Sequence, residues 1–320
     1  MLTRRHIRIK IVQNLYAIEI SNDYDLQRAE NKLIKSVDGL YNLYIYQLSF
    51  IQEIVNFAFQ KTEEGRNKQL PTPEDLNPNM RFVENEFLHK LIHCQGLQWE
   101  IDRLKISWAT YPEIVRKIYN AFTESNNYIS YMNSAKNTFN RDKKIAEILY
   151  FNYILSSESF QMLFEDMDAG WSDDLAISAF FVQKTFNKIK SAKPFDALPP
   201  LFKNINDSGS SDDHKFMIDL QRQTLLHNAE YNALIDSHTR NWDFERIPRT
   251  DVILLKMALT ELQFFRTIPI KVTLNEYIDL TKMFSTPKSS LFINGILDKL
   301  IIELSEAGKI KKIGRGLIGN

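Results

Sequence analysis

Apolar residues recur along this chain at steps of three and four, the spacing of helices with one buried face, and almost nowhere at alternating positions. From about Thr3 to Ile20, Ile7, Ile11, Leu15 and Ile18 fall on one stripe, and Ile9, Val12, Tyr16 and Ile20 on a second. His6, Lys10, Gln13 and Asn14 make the narrow polar strip that remains. A helix apolar on two sides belongs in the middle of a bundle. Residues 24–64 read as one or two long helices, and further helices are expected over about 81–107, 111–133, 137–164 and 173–191. LPTPEDLNPN, residues 70–79, is a loop with three prolines. The stretch 192–216, broken by proline and then rich in Ser, Asp and Gly, is the clearest linker.

The last third is patterned more sharply. Phe216, Leu220 and Leu234 sit on a helix that should end near Arg240, and NWDFERIPRTD connects it onward. DVILLKMALTELQFFR, residues 251–266, is apolar nearly all round and so predicts a buried helix. Leu274, Tyr277 and Ile278 mark the next helix, which ends at Phe284. The last long helix opens with Thr286 as N-cap and Pro287 at its first position, and it closes at Gly308. Gly295 inside it costs about 1 kcal/mol relative to alanine, so close approach of a neighbouring helix is expected there. The tail KIKKIGRGLIGN reads as basic and mobile. The fold class is therefore all-α, a bundle of helices with ten glycines in 320 residues and hardly a hairpin signal. Three segments are expected: 1–240 as an N-terminal helical domain, 241–306 as a C-terminal subdomain and 307–320 as a basic tail.

Charge narrows the possible partners. Lys plus Arg and Asp plus Glu both number 40, so any nucleic-acid contact must come from a local patch. RRHIRIKIVQNLYA, residues 4–17, is such a patch, with Arg4, Arg5, Arg8 and Lys10 and not one acid. Cations at a helix start cost about 0.3–1 kcal/mol each when exposed, and an anionic partner would offset that. A single cysteine, Cys94, excludes an intrachain disulfide and fits a reducing compartment. No run is long and apolar enough to span a bilayer, and Gln13, Asn14 and Glu19 interrupt the opening stretch too early for a signal peptide. The expected setting is cytoplasmic.

Signs of chemistry are few. GRGLIG, residues 314–319, fits the G-x-G-x-x-G spacing but follows a helix where that fingerprint needs a strand. Glu86, His89, His93 and Cys94 lie on one helix without the spacing of a known zinc motif, so helix-surface histidines are the expected reading. There is no G-x-S-x-G and no P-loop. No catalytic residue, metal or cofactor is expected. Two anion-attracting spots remain: the start of the first helix, and Thr286, Lys288, Ser289 and Ser290 at the start of the last, with Phe292 one turn on to stack on a base. Spacing alone also allows the plainer assignment for the second spot: a cap, a surface lysine and a core phenylalanine.

RRHIRIKIVQNLYAIE resembles the opening helix of the NusB family of bacterial transcription antitermination factors. NWDFERIPRTDVILLKMALTEL and IPIKVTLNEYIDLTKMFSTPKSSLFINGILDKL are similar to its C-terminal half, with A-L-x-E-L, I-P-x-K-V-x-x-N-E and F-I-N-G-I-L-D as the dense features. The resemblance covers about residues 3–20 and 214–303, which makes residues 21–213 an insertion of extra helices. It implies an all-α fold of two small bundles. It also implies a non-catalytic protein that binds boxA-type RNA of ribosomal RNA leaders together with NusE and helps RNA polymerase read through terminators. The implied RNA-binding residues are Arg4, Arg5, Arg8, Lys288, Ser289 and Phe292, and the implied partner-facing residues are Tyr16 and Asp251. Where the family usually has glycine after the phenylalanine matched by Phe284, this chain has Ser285, which puts the shape of that loop in question. The alternative is a protein-interaction scaffold that kept the fold and lost RNA. An RNA methyltransferase with a NusB-like domain ranks last, because no glycine-rich α/β segment is present to hold a methyl donor.

Overall fold

In the computed structural model the described residues are 1–202, 211–239, 247–286 and 288–317, and they form helices and loops without a strand. The helices are α1 (Arg4–Ser21), α2 (Leu26–Arg66), α3 (Pro73–Leu76), α4 (Glu86–Ile92), α5 (Gln95–Leu104), α6 (Pro112–Thr123), α7 (Asn126–Met132), α8 (Phe139–Ile148), α9 (Glu158–Met167), α10 (Trp171–Lys188), α11 (Asp212–Leu226), α12 (Asn228–His238), α13 (Arg249–Phe264), α14 (Ile270–Phe284) and α15 (Ser289–Glu306). A π-helical turn, Leu149–Ile154, extends α8, and a short 3-10 turn, Gly314–Leu317, lies near the end. The all-α expectation holds. Arg240, residues 241–246, Pro287 and part of the 192–216 linker lie outside the described residues, so the helix end near Arg240, the connection after it and the Pro287 position are not judged.

The contacts divide the chain into two compact units. The first is made of Met1 and Asp38–Leu201. Its core is aromatic: Tyr44, Phe50, Phe82, Phe87, Phe122, Tyr150, Phe160, Phe164, Phe181 and Phe186 are almost fully buried. The polar groups caught inside it pair with one another. Gln47 Nε2 donates to Ser178 Oγ at 2.7 Å, Tyr150 OH donates to Gln47 Oε1 at 2.5 Å, and Tyr44 OH shares a 2.7 Å bond with Thr185 Oγ1. Three of the long helices expected here are interrupted. One breaks at His93–Cys94 between α4 and α5, one at Glu124–Ser125 between α6 and α7, and one after the π turn before α9. At the second break Ser125 caps α7 by accepting from Tyr128 N at 3.1 Å.

The second unit comprises Leu2–Val37 and Phe202–Asn320. Its centre is α13, where every residue from Ile253 to Leu262 is buried, as the all-round apolar pattern predicts. Helices α1, α11, α12, α14 and α15 pack around it. The helix expected to run from 216 toward 240 is instead two, α11 and α12. His227 ends the first, its N–H reaching Gln223 O and Leu225 O, and starts the second. The polar strip of α1 is not all solvent-facing: Lys10 is buried, and Asn14 is nearly so, donating to Ala29 O at 2.9 Å and Gln221 Oε1 at 2.6 Å.

Three local expectations are corrected. Thr286 is not the cap of α15, since Lys288 holds that position and makes no side-chain cap bond. Gly295 approaches no neighbouring helix, because a Cβ built there meets nothing within 4 Å. Gly295→Ala is therefore expected to stabilise the protein by about 0.5–1 kcal/mol, read as a rise in the urea midpoint at unchanged slope. The segment after α15 is also not loose. Gly308, at φ +65°, closes the helix as expected, with Gly308 N bonded to Ser305 O and Lys309 N to Leu304 O. The chain then docks: Ile313 N donates to Arg266 O at 3.0 Å, and Lys312 Nζ to Phe265 O at 3.0 Å and Glu261 O at 3.3 Å.

Candidate RNA-binding groove

The start of α1 carries no acid of its own, but the fold brings acids to it from elsewhere in the second unit. Thr3 and His6 form a capping box, Thr3 Oγ1 accepting from His6 N and His6 Nδ1 from Thr3 N. Arg4 Nε bonds Asp213 Oδ1 at 3.1 Å, and Arg5 Nη2 bonds Glu276 Oε1 at 3.0 Å and Asp279 Oδ2 at 2.9 Å. The carboxylates offset the cost of cations at a helix N-terminus.

Arg8 differs from the other two. Its side chain is 3 % exposed and bonds the fully buried Glu261 with both forks, Nε to Oε2 and Nη2 to Oε1, each at 2.8 Å. Thr273 Oγ1 donates to Glu261 Oε1 at 2.8 Å, and Tyr277 OH reaches Oε2 at 3.4 Å. Burial lowers the Arg8 pKa, but the charge and hydrogen bonds of Glu261 outweigh it and hold the guanidinium firmly protonated. Burial together with the Glu261 charge pushes the Tyr277 hydroxyl well above its usual range. Arg8 thus ties α1 to α13 and α14, and its burial leaves little of the guanidinium exposed to the groove. Phe216 lies against both cations, 4.9 Å from Arg4 Cζ and 5.3 Å from Arg8 Cζ.

Arg4 and Arg5 remain about half exposed, at 41 % and 47 %. They line a groove of about 840 Å³ whose floor includes Thr267, Ile268 and Val272. Four guanidinium groups, those of Arg4, Arg5, Arg8 and Arg315, meet two carboxylates there, those of Asp212 and Glu276. An exposed pair such as Arg5–Asp279 is worth about 0–1 kcal/mol, but Arg4 is also held by the mostly buried Asp213 and Arg5 by two bonds to Glu276, so a phosphate must compete with these carboxylates.

The second expected spot is not part of this groove. Lys288, Ser289 and Phe292 are absent from its lining. Lys288 is exposed. Ser289 is 5 % exposed, and its hydroxyl bonds both Ser285 Oγ and Thr286 Oγ1, so it is turned inward. Phe292 is half-buried. Ser285, the departure from the family pattern, has φ −138°, an extended conformation that any residue adopts, so no glycine is needed there. Of the two partner-facing residues, Tyr16 is 42 % exposed, with Ile20 at 56 % on the same stripe. Asp251 is buried, and its carboxylate offers no surface to a partner.

His89 and His93 stack face to face at 3.9 Å, and among the described residues no three potential metal ligands gather. Burial, and then the charge of His93, lowers the pKa of His89. Among the described residues no helix is long and apolar enough to cross a membrane.

The pattern reading missed Arg315. Its signal was in the sequence: glycines flank it, and Gly316 is required because a Cβ there would sit 2.0 Å from the Arg266 carbonyl oxygen.

The second unit is thus an all-α bundle centred on one buried helix, with an arginine-lined groove at its first helix. Comparison with known proteins makes the class specific. The NusB family profile matches residues 178–301, from the second half of α10 into α15. The transcription antitermination protein NusB of Salinibacter ruber is 43% identical over 100 residues, 31% of this chain and 62% of that protein. The NusB protein of Geobacter sulfurreducens is 39% identical over 103 residues, covering 32% of this chain and 75% of its own length. That of Desulfatibacillum aliphaticivorans is 33% identical over 135 residues, covering 42% and 90%. No solved structure matches. The chain belongs to the NusB family, and it is longer than the stretch it shares with these relatives.

Proposed function

We propose that this chain is a non-catalytic transcription antitermination factor that binds boxA-type RNA of ribosomal RNA leaders together with NusE and promotes read-through by RNA polymerase. Family membership supports the reading, and the names of the relatives carry the antitermination role. The observation that carries the RNA assignment is the groove, where Arg4 and Arg5 keep about half of their side chains exposed beside their carboxylate partners. A single strand laid along it would exchange those carboxylates for phosphates. Lys288 and Phe292 would then belong to a separate contact at the start of α15, with Ser289 bonded back to Ser285 and Thr286 of the preceding loop. Tyr16 and Ile20 form the exposed apolar edge of α1, suited to a protein partner such as NusE.

Residues 38–201 carry a small excess of Asp and Glu over Lys and Arg, which suits an added helical unit that is not itself an RNA grip.

The test is a titration of the full chain with labelled boxA-type RNA and with a scrambled strand, each with and without NusE. The reading predicts tighter binding of the boxA strand and a further gain with NusE. Equal, weak binding of both strands alongside retained NusE binding would instead identify a scaffold that has lost RNA. The ready-made carboxylate partners of Arg4 and Arg5 are the feature that such a scaffold would explain.

A further inference from the structure

Arg4, Arg5 and Arg8 each have a carboxylate partner. Arg315 lines the same groove, is exposed, and makes no ion pair among the described residues. Among the described residues it is the groove cation with no carboxylate of its own to release on meeting an anion.

Its position is built in. The end of α13 presents its last carbonyls to the tail: Lys312 Nζ takes those of Glu261 and Phe265, and Ile313 N takes that of Arg266. Burial pushes the pKa of the Lys312 ammonium down to about 8, against the opposing pull of the Glu261 charge. The chain then turns through Gly314, at φ +52°, into the 3-10 turn. Gly316 presses its backbone against the Arg266 carbonyl in a space too small for any side chain. The turn holds Arg315 at the groove, beside the first turn of α1 that follows it in no sequence sense: the two are some 310 residues apart.

We infer that the docked C-terminal tail is part of the RNA-binding surface, with Arg315 as an anchor for a backbone phosphate and with Lys312 and Gly316 as the residues that position it. The inference rests on the RNA-binding reading above. Arginine suits the task, since its fork of donors matches phosphate oxygens. One contact to a single strand contributes about 0.7 to the salt slope, which is about fivefold in affinity at about 0.1 M salt.

The experiment is fluorescence anisotropy of the full chain with a labelled boxA-type single-stranded RNA across a salt series. Arg315→Gln should weaken binding about fivefold at about 0.1 M salt and flatten the slope by about 0.7, with no change in thermal unfolding. Gly316→Ala keeps the guanidinium but removes its seat, so it should show the same loss together with faster trypsin cleavage after Lys312. Unchanged affinity and slope in Arg315→Gln, with binding lost in an Arg4→Gln/Arg5→Gln chain, would overturn the tail's role and leave the RNA-binding reading standing. A wild-type chain without salt-sensitive RNA binding would overturn both.

Discussion

Arg8→Ala is expected to lower unfolding stability by about 3–5 kcal/mol, because it strands the fully buried Glu261 carboxylate without its counter-charge. The pair is bidentate at 2.8 Å on both arms, and the remaining acceptor capacity of Glu261 is taken by Thr273 and Tyr277. Lys312 lies near Glu261 but bonds its backbone carbonyl, so the Glu261 carboxylate keeps no bidentate cation once the guanidinium is gone. Glu261→Gln should also be severe, leaving the cation buried against a neutral amide. The double variant Arg8→Met/Glu261→Leu separates the two contributions. It removes both charges at similar volume, so it should recover a large part of the loss even though Thr273 and Tyr277 lose an acceptor. Urea unfolding of the three proteins checks this. A double variant as unstable as Arg8→Ala would show that packing, not the stranded charge, sets the cost. The same measurement separates Arg8 from Arg4 and Arg5, whose substitution should leave stability within about 1 kcal/mol.

The second large effect concerns binding. Arg4→Gln/Arg5→Gln removes two contacts to a single strand, which at about 0.1 M salt amounts to about 25-fold in affinity and about 1.4 in salt slope. The acids around these arginines give the account an opposite prediction. Asp213 holds Arg4, and Asp279 holds Arg5 together with Glu276. The Glu276 hydrogen bond raises the Arg5 pKa, and the hydrogen bond from Lys282, with a smaller one from Arg5, lowers that of Asp279. A phosphate must displace them, so Asp213→Asn and Asp279→Asn should each tighten RNA binding, by up to about fivefold for a pair worth 1 kcal/mol. Anisotropy titrations of these variants test the competition. Weaker binding in both Asn variants would mean that the acids position the arginines for RNA and do not withhold them.

The sequence showed the helical skeleton and hid the pairing. DVILLKMALTELQF is apolar on every side, and only a central helix can bury such a surface, so α13 was legible residue by residue. The breaks at His93, Glu124 and His227 were not, because only Gly96 lies beside the first, no glycine or proline marks the other two, and Ser125 alone supplies a side-chain cap. The arginine cluster was visible, but its neutralisation was not: Asp213, Glu261 and Glu276 lie more than 200 residues further along the chain. A helix pattern shows which face is polar, not which distant carboxylate will meet it. The resemblance implied a partner-facing Asp251 and the helix-start pattern an anion-facing Ser289, yet tertiary packing buries both. The tail misled for a related reason. Gly314 and Gly316 looked like freedom, whereas one supplies a left-handed turn and the other a close backbone contact.

Ultraviolet crosslinking of a boxA-type RNA to the full chain, with adducts located by mass spectrometry, puts the central claim to its most direct test. Adducts should concentrate on the segments lining the groove: the start of α1, the Thr267–Val272 turn and the 312–317 tail. Adducts confined to residues 38–201, with none on those three segments, would contradict the assignment of the groove as the RNA-binding face.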